Sequence, residues 1–249
     1  MGYTISEKIL AEKSGMEAKA GRLVVADVDV IMAHDSLGPM AIDALAEMGE
    51  IAIPRPGNIC FMTDHLVPTP ARNYAQMQKQ MREFAKKWGI RQHEAGDGIC
   101  HQLLAEKEIQ PGQIVIGTDS HTCMGGALNA FATGVGSTDA AAAMATGQLW
   151  LKVPETMRVL FHGSLPSGVF AKDLVLFLAG QITEDGANYR AMEIAGETIS
   201  SLSMGGRFTI CNMGVEMGAK AAIMEADEST QRWLSQRGVK GAVKSVKAD

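Results

Sequence analysis

Three short apolar segments of the chain each run into an acid beside an imidazole. The three polar endings are His34-Asp35, Asp64-His65 and Asp119-Ser120-His121. Apolar, β-branched runs of this length are typical of strands that are buried on both faces of a parallel sheet. In open α/β sheets, ligands bind just beyond the carboxyl ends of such strands. The pattern therefore predicts a parallel sheet whose reactive side chains gather along one edge.

Segments with helical patterning separate these strands. Thr4 and Glu7 have the spacing of a capping box at a helix start. A helix is expected from Thr69-Pro70 to Gly89, and an Ala-rich helix over residues 138–151. Strands are expected at 23–33, 59–62 and 114–122. This alternation predicts an α/β fold with mostly parallel sheets flanked by helices.

A second α/β pattern begins after Val153-Pro154, so we expect two domains, residues 1–153 and 154–249. The second pattern predicts strands at 157–165, 191–194 and 207–211 and helices at 171–182 and 214–224. Asn212 then ends a strand, and Glu216 lies on the last helix. Residues 239–249 read as a poorly ordered tail.

Composition excludes several classes of protein. The net charge of −5 gives no electrostatic reason to expect nucleic acid as a partner. No segment approaches the roughly 20 apolar residues of a membrane span, and the N-terminus lacks the apolar centre of a signal peptide. A cytoplasmic location is the expectation. The four cysteines form no C-x-x-C pair, which argues against a zinc ribbon or a disulfide framework.

A carboxylate beside an imidazole orients the ring and raises its basicity, as general acid–base catalysis requires. One such pair is more often structural, whereas three at strand ends of one domain indicate a site. His101, just before the third of these strands, adds another imidazole. His93 reads as a surface residue and His162 as a structural one.

Five motifs, in this order along the chain, resemble the aconitase superfamily. They lie at residues 61–67, 98–102, 116–122, 134–139 and 211–219, and include Asp-Ser-His-Thr and Cys-Asn-Met-Gly-x-Glu. The resemblance covers essentially the whole chain and is nearest to the large subunit of the two-subunit dehydratases. His34 stands where aconitase proper has an amide, which favours that branch.

The resemblance implies reversible dehydration of a hydroxy acid through a [4Fe–4S] cluster. It implies catalytic roles for Asp64, His65, His101, Asp119, His121 and Glu216, substrate contacts for His34 and Ser120, and a position beside the cluster for Asn212. In that family Asp64-His65 matches the pair that protonates the departing hydroxyl. His101 matches an imidazole paired with Asp119, and His121 one paired with Glu216.

The family's cluster cysteines lie in a third domain, and none of the four cysteines here matches them. We therefore expect no protein metal ligand and no bound cluster in this chain, which is expected to be inactive alone. The expected partner is a small swivel-domain subunit that carries a serine base and a specificity loop. The expected substrate is a small hydroxy acid, of isopropylmalate type or, alternatively, of homocitrate type. Two further classes stay open, a mononuclear metalloenzyme and a non-catalytic scaffold that binds a partner.

Overall fold

Strands and helices alternate along the whole chain in the computed structural model, which describes residues 2–49 and 52–249. The strands are β1 (Leu23–Asp27), β2 (Val30–His34), β3 (Ile59–Met62), β4 (Arg91–His93), β5 (Ile114–Gly117), β6 (Phe131–Gly134), β7 (Gln148–Lys152), β8 (Thr156–Leu160), β9 (Ala191–Ala195) and β10 (Ala221–Ile223). The α-helices are α1 (Ile5–Ser14), α2 (Gly38–Glu47), α3 (Arg72–Trp88), α4 (Cys100–Lys107), α5 (Ser137–Thr146), α6 (Ala171–Ile182), α7 (Glu197–Ser201), α8 (Met204–Asn212) and α9 (Glu228–Ser235). Short 3₁₀ helices cover Pro56–Asn58, Ser120–Leu128 and Met213–Met217.

The main sheet has five parallel strands in the order β4-β3-β2-β5-β6. Every residue of β2, β3 and β5 is buried, as apolar runs covered on both faces require. The register pairs His34 with Met62 and Met32 with Gly117. The segments that follow these three strands therefore start from one edge of the sheet. The α/β fold class is confirmed.

Two glycines fix the path of the chain after β5. A Cβ at Gly117 would lie 2.2 Å from Thr122 Oγ1, and one at Gly134 would lie 2.7 Å from Ser120 Cα. Only glycine permits such a close approach of the backbone. The turn that carries Asp119 consequently folds back onto the ends of β5 and β6 and continues as the 3₁₀ helix Ser120–Leu128. The strand predicted over 114–122 ends at Gly117.

β1 and β7 form a two-stranded antiparallel ribbon, which differs from two of the predictions. The strand expected over 23–33 is divided into β1 and β2, because Asp29 turns the chain and its carboxylate accepts the Ile114 N–H at 2.8 Å. The helix expected over 138–151 ends at Thr146, since Gly147 has φ +74°. Left-handed glycine is a common helix terminator.

The smaller sheet has three parallel strands in the order β10-β9-β8. The strand predicted at 207–211 is wrong: these residues lie in α8, which begins after Ser203, whose Oγ accepts the Gly206 N–H at 3.3 Å. The helix predicted at 214–224 is also wrong, because that segment divides into a 3₁₀ turn and β10. Both segments are short and apolar, and periodicity does not separate helix from strand at that length. The two-domain division stays a prediction.

The 3₁₀ helix Ser120–Leu128 packs tightly against β10 of the smaller sheet. A Cβ at Gly126 would lie 1.7 Å from the Ala222 carbonyl oxygen, and the Met224 N–H donates to Gly126 O at 3.0 Å. The tail at 239–249 is held rather than loose, since Val246 N–H donates to Asn129 Oδ1 at 2.6 Å. Across the described ranges, no helix is both long and apolar enough for a membrane span.

Candidate active site

Asp119 is the carboxylate around which the predicted site residues gather. Its Oδ1 accepts hydrogen bonds from His101 Nε2 and from the His121 N–H, both at 2.8 Å. Its Oδ2 lies 3.4 Å from His65 Nε2. Burial alone raises the pKa of Asp119, but the hydrogen bond and positive charge of His101 outweigh it and hold the pKa well below its usual range. Asp119 therefore stays ionised and joins three histidines.

His65 is held between two carboxylates. Its Nδ1 lies 2.8 Å from Asp64 Oδ1, while Asp64 Oδ2 accepts the Cys100 N–H at 2.6 Å. Burial lowers the pKa of His65, but hydrogen bonds to Asp64 and Asp119 raise it above its usual value. Burial raises the pKa of Asp64, but the hydrogen bonds from His65 and Cys100 bring it below its usual value. The favoured protonation state of this pair is therefore a protonated His65 beside an ionised Asp64.

His34 presents a different protonation state. Its ring stacks on that of His65, with centroids 3.8 Å apart, and its Nδ1 accepts the Ser36 N–H at 3.3 Å. Burial and then the charge of His65 lower the pKa of His34. A neutral ring that accepts at Nδ1 carries its proton on Nε2. That Nε2 is buried and has no hydrogen-bond partner among the described residues.

The second half of the chain reaches the site through Glu216. His121 Nε2 lies 3.0 Å from Glu216 Oε1, and Ser120 Oγ lies 3.4 Å from His121 Nδ1. Asn212 ends α8 beside this group, and its carbonyl oxygen accepts from Cys123 Sγ at 3.4 Å. In the described part of the chain, no hydrogen bond joins the Asn212 side chain to the histidines. The structure thus brings the predicted residues to one edge of the sheet, while their catalytic roles stay predictions.

One cavity lies near this edge of the sheet, and a second lies away from it. Ser120 lines an open cavity of about 380 Å³ together with Thr118, Asp139 and Lys220. A larger groove of about 800 Å³ runs between α2 and α3, is lined mainly by apolar side chains such as Phe84, and contains none of the site residues. Of these two cavities, the polar one is lined by a predicted site residue, Ser120.

Residues 7–248 match the aconitase family (aconitate hydratase). The chain belongs to the aconitase family. It is 47% identical over its whole length to the 3-isopropylmalate dehydratase large subunit of Elusimicrobium minutum and 46% identical over its whole length to large subunit 1 of Thermotoga maritima. It is 50% identical over 95% of its length to the same large subunit of Aquifex aeolicus. The chain spans 60%, 59% and 56% of the lengths of these relatives.

A solved structure, Thermococcus kodakaraensis aconitase X in its holo-form, is also similar. It aligns with 89% of this chain and 57% of its own, at a TM-score of 0.48 and 11% sequence identity. This likeness is too weak to add to the family assignment.

The aconitase family implies a [4Fe–4S] cluster in the complete enzyme. All four cysteines of this chain are buried and free. Burial raises their thiol pKa values, that of Cys123 to about 12, so they do not present thiolates. The residues present therefore do not fit the protein ligands of a cluster.

A mononuclear metal fits the site no better. Donor atoms of His34, His65 and Asp119 lie within 4.8 Å of one another. The two imidazoles, however, are stacked with only 17° between their planes, so their in-plane nitrogen lone pairs lie in two separate, nearly parallel planes and do not converge on one ion. In the second such group, Asp64, His65 and Cys100, burial raises the pKa of the thiol ligand. The arrangement as it stands favours hydrogen bonding over metal binding.

Sequence reasoning missed two residues around the site, Gln78 and Lys220, and the contacts of a third, Asp35. Asp35 and Gln78 are buried beneath the loop that follows β3, and Lys220 donates to Gly134 O at 3.1 Å beside the Ser120 cavity. Asp35 was visible only as the neighbour of His34. Gln78 lies in α3, whose pattern indicated packing, and Lys220 lies in a segment assigned to a helix. The sequence carried no separate signal for the last two.

Proposed function

We propose that this chain forms the acid–base half of the active site in the large subunit of a 3-isopropylmalate dehydratase, a hydro-lyase of leucine biosynthesis. The observation that carries the proposal is the single ionised Asp119 shared by His65, His101 and His121. The large-subunit relatives share nearly half of their aligned residues with it. Because the chain spans about 60% of them, the activity belongs to the complete protein.

Loss of hydroxide from a hydroxy acid needs a proton at the departing oxygen. The His65 imidazolium is suited to supply it from Nε2, because the 3.4 Å separation from Asp119 Oδ2 is long for a hydrogen bond and easily exchanged for a substrate hydroxyl. The shorter contact of Nδ1 to Asp64 keeps the ring oriented during the transfer. The C–O bond breaks, the hydroxyl leaves as water, and His65 is left neutral.

The anionic substrate also needs donors that stay in place. His34 Nε2–H is buried and unpaired, and the Ser120 hydroxyl lines the adjacent polar cavity. We propose that both donate to substrate carboxylate oxygens, because preorganised donors in a partly dry site stabilise developing negative charge. His121 and Glu216 close the side of the site that belongs to the second half of the chain.

A [4Fe–4S] cluster in the complete enzyme would supply Lewis-acid chemistry, while the residues of this chain supply proton transfer and hydrogen-bond donors. The relatives are named as large subunits, which implies a small-subunit partner. We propose that this partner is a swivel-domain subunit that contributes a serine base, to remove the carbon-bound proton, and a loop that selects the substrate. We place the assembled enzyme in the cytoplasm.

The test uses the complete large subunit, reconstituted with its cluster and its small subunit. His65→Gln is expected to lower kcat for 3-isopropylmalate by about 10² to 10⁴-fold, because the proton donor is lost. His162→Gln is the matched control, since His162 is 75% exposed and its nearest acid, Glu197, is 4.0 Å away. Full activity in His65→Gln, or turnover of homocitrate in preference to 3-isopropylmalate, would contradict the proposal.

A further inference from the structure

A buried carboxylate lies directly beneath the loop that follows β3 and carries His65. Asp35 follows the last residue of β2 and is fully shielded from solvent. Its Oδ1 accepts the His65 N–H at 3.0 Å, and its Oδ2 accepts the Leu66 N–H at 3.2 Å and Gln78 Nε2 at 2.9 Å. No lysine or arginine of the described residues pairs with it. Its charge is satisfied by three hydrogen-bond donors instead.

Burying a carboxylate costs free energy, and the hydrogen bonds that offset this cost form in one conformation of the loop after β3. A carboxylate in an apolar environment is tolerated only when hydrogen bonds replace its hydration. Removing it would take the acceptor away from the two partly buried backbone N–H groups at 65 and 66, and each lost hydrogen bond costs about 1 kcal/mol. The loop after β3 therefore has one favoured position, in which both amides point at Asp35.

Gln78 ties the same loop to α3. Its side chain is 4% exposed, and besides Asp35 its Nε2 reaches Leu66 O at 3.0 Å. Its Oε1 accepts from Thr69 Oγ1, also at 3.0 Å. The amide therefore links the end of β2, the loop and the helix that follows it. A glutamine with every polar atom in use is poorly explained by packing alone.

His65 depends on this support more than its neighbours do. Its ring contacts Asp64 at 2.8 Å on one side and Asp119 at 3.4 Å on the other, and the second contact tolerates little displacement. The Asp35 hydrogen bond is made to the backbone N–H of His65 itself. A shift of the loop by about 1 Å would break the longer contact and, on general grounds, cost about 10²-fold in rate.

We propose that Asp35, supported by Gln78, is a positioning residue that holds His65 between Asp64 and Asp119. The catalytic consequence rests on the proposed function. The alignment of His65 is a property of this chain and is measurable in the chain itself.

The first experiment follows the imidazole ¹⁵N signals of His65 by NMR during pH titration of the 249-residue protein. In Asp35→Asn an NH₂ group, which is a donor, replaces one carboxylate oxygen. It faces either the loop N–H groups or Gln78 Nε2, which are themselves donors. We expect His65 to titrate at lower pH than in the unsubstituted chain, because its carboxylate contacts loosen while it stays partly buried. Gln78→Met keeps the two backbone donors on Asp35, so the change is expected in the same direction and smaller.

Asp29→Asn is the matched control. Asp29 sits before the first residue of β2, accepts the Ile114 N–H at 2.8 Å and pairs with Lys13 at 2.6 Å. Its loss is expected to lower stability while the His65 titration stays unchanged. Unchanged His65 signals in both Asp35→Asn and Gln78→Met would overturn the proposal, as would an equal change in Asp29→Asn. If Asp35→Asn does not fold, Gln78→Met decides.

The second readout is kinetic, in the complete enzyme. Asp35→Asn is expected to lower kcat by about 10²-fold with little change in KM, because substrate contacts stay while the proton donor is misaligned. A loss confined to KM or to thermal stability would contradict positioning. Absence of dehydratase activity in the unsubstituted enzyme would refute the proposed function, whereas the NMR comparison would still decide the role of Asp35.

Discussion

The polar network around Asp119 and the ion pair between Arg207 and Asp227 are both partly buried, but they are built differently. Arg207 is 1% exposed and forms a fork of two hydrogen bonds, 2.8 and 2.6 Å, to the two oxygens of Asp227. Asp227 also caps α9 by accepting the Ser229 and Thr230 N–H groups. One cation meets one carboxylate in a geometry that fastens α8 to α9.

Around Asp119, three histidines share one carboxylate. Two buried ring nitrogens there, His34 Nε2 and His101 Nδ1, have no partner within the described ranges. In both regions the central carboxyl has a pKa below its usual value despite burial, because of a hydrogen-bonded cation. The direction of a pKa change therefore does not separate a reactive site from a structural pair. Unused hydrogen-bonding atoms do not separate them either, since Arg207 Nε also lacks a partner among the described residues. The two regions differ in that three histidines share Asp119, whereas one guanidinium holds Asp227.

The largest expected effect is on activity, from Asp119→Asn in the complete enzyme. The amide no longer stabilises three imidazoles, so kcat is expected to fall by about 10³-fold. The chain should unfold within a few degrees of the unsubstituted protein. Steady-state kinetics and thermal unfolding measure the two quantities. Activity within tenfold of the unsubstituted enzyme would remove Asp119 from the centre of the mechanism.

Asp227→Asn should show the reverse pattern. It leaves the Arg207 guanidinium buried without a counter-charge, so the free energy of unfolding of this chain is expected to fall by about 3 kcal/mol. Glu225→Gln is the control, because Glu225 lies 3.7 Å from Lys247 at the surface and should matter by less than about 1 kcal/mol. Urea denaturation distinguishes them. Equal effects of the two changes would show that the buried pair is not special.

Substitutions of two adjacent glycines test the contact between the 3₁₀ helix Ser120–Leu128 and β10. Gly126→Ala forces a methyl group against the Ala222 backbone and should cost about 2–3 kcal/mol. Gly125→Ala meets the flexible end of the Ile109 side chain at 2.7 Å and should cost clearly less. Thermal unfolding gives the order. If the two substitutions cost the same, the backbone contact at Gly126 is not the tight point.

The smallest expected effect is on the pH dependence of stability. His65 has a raised pKa, so its contribution is complete below pH 6.5 and is lost as pH rises through its folded value. His34 has a lowered pKa and acts in the opposite sense, losing stability as pH falls through its folded value. The two windows lie on opposite sides of pH 6.5, so the combined contribution of these two groups to stability is greatest near that pH. On the acid side, Asp64 and Asp119 lose their contributions as pH falls from 3.8 through their folded values.

His65→Gln separates these contributions. The substituted chain is expected to show less loss of stability above pH 6.5 than the unsubstituted chain, by less than about 1 kcal/mol. Urea denaturation at a series of pH values measures the difference. Identical profiles would mean that His65 has no net coupling to its two carboxylates.

The sequence was sufficient for elements with a strong local pattern. The strand at 59–62 and the helix at 171–182 were predicted with the bounds of β3 and α6. The meeting of Asp64-His65 with Asp119 followed from a general rule about parallel strand ends. His101 was placed by the sequence only before the strand predicted at 114–122; it lies in the first turn of α4, where the helix aims it at Asp119.

What escaped prediction depends on tertiary contacts. The α8 segment is as apolar as a strand, and only the Ser203 cap and packing on the 3₁₀ helix Ser120–Leu128 make it helical. Gln78 occupies a position in α3 that looks like any other half-polar helical site. Its hydrogen bonds form only when the loop from 63 to 71 has folded over it.

The close fit of Gly126 against Ala222 also limits how the protein can move. A joint with no room for one methyl group resists bending, so the contact favours a fixed separation between the turn that carries Asp119 and the turn that carries Glu216.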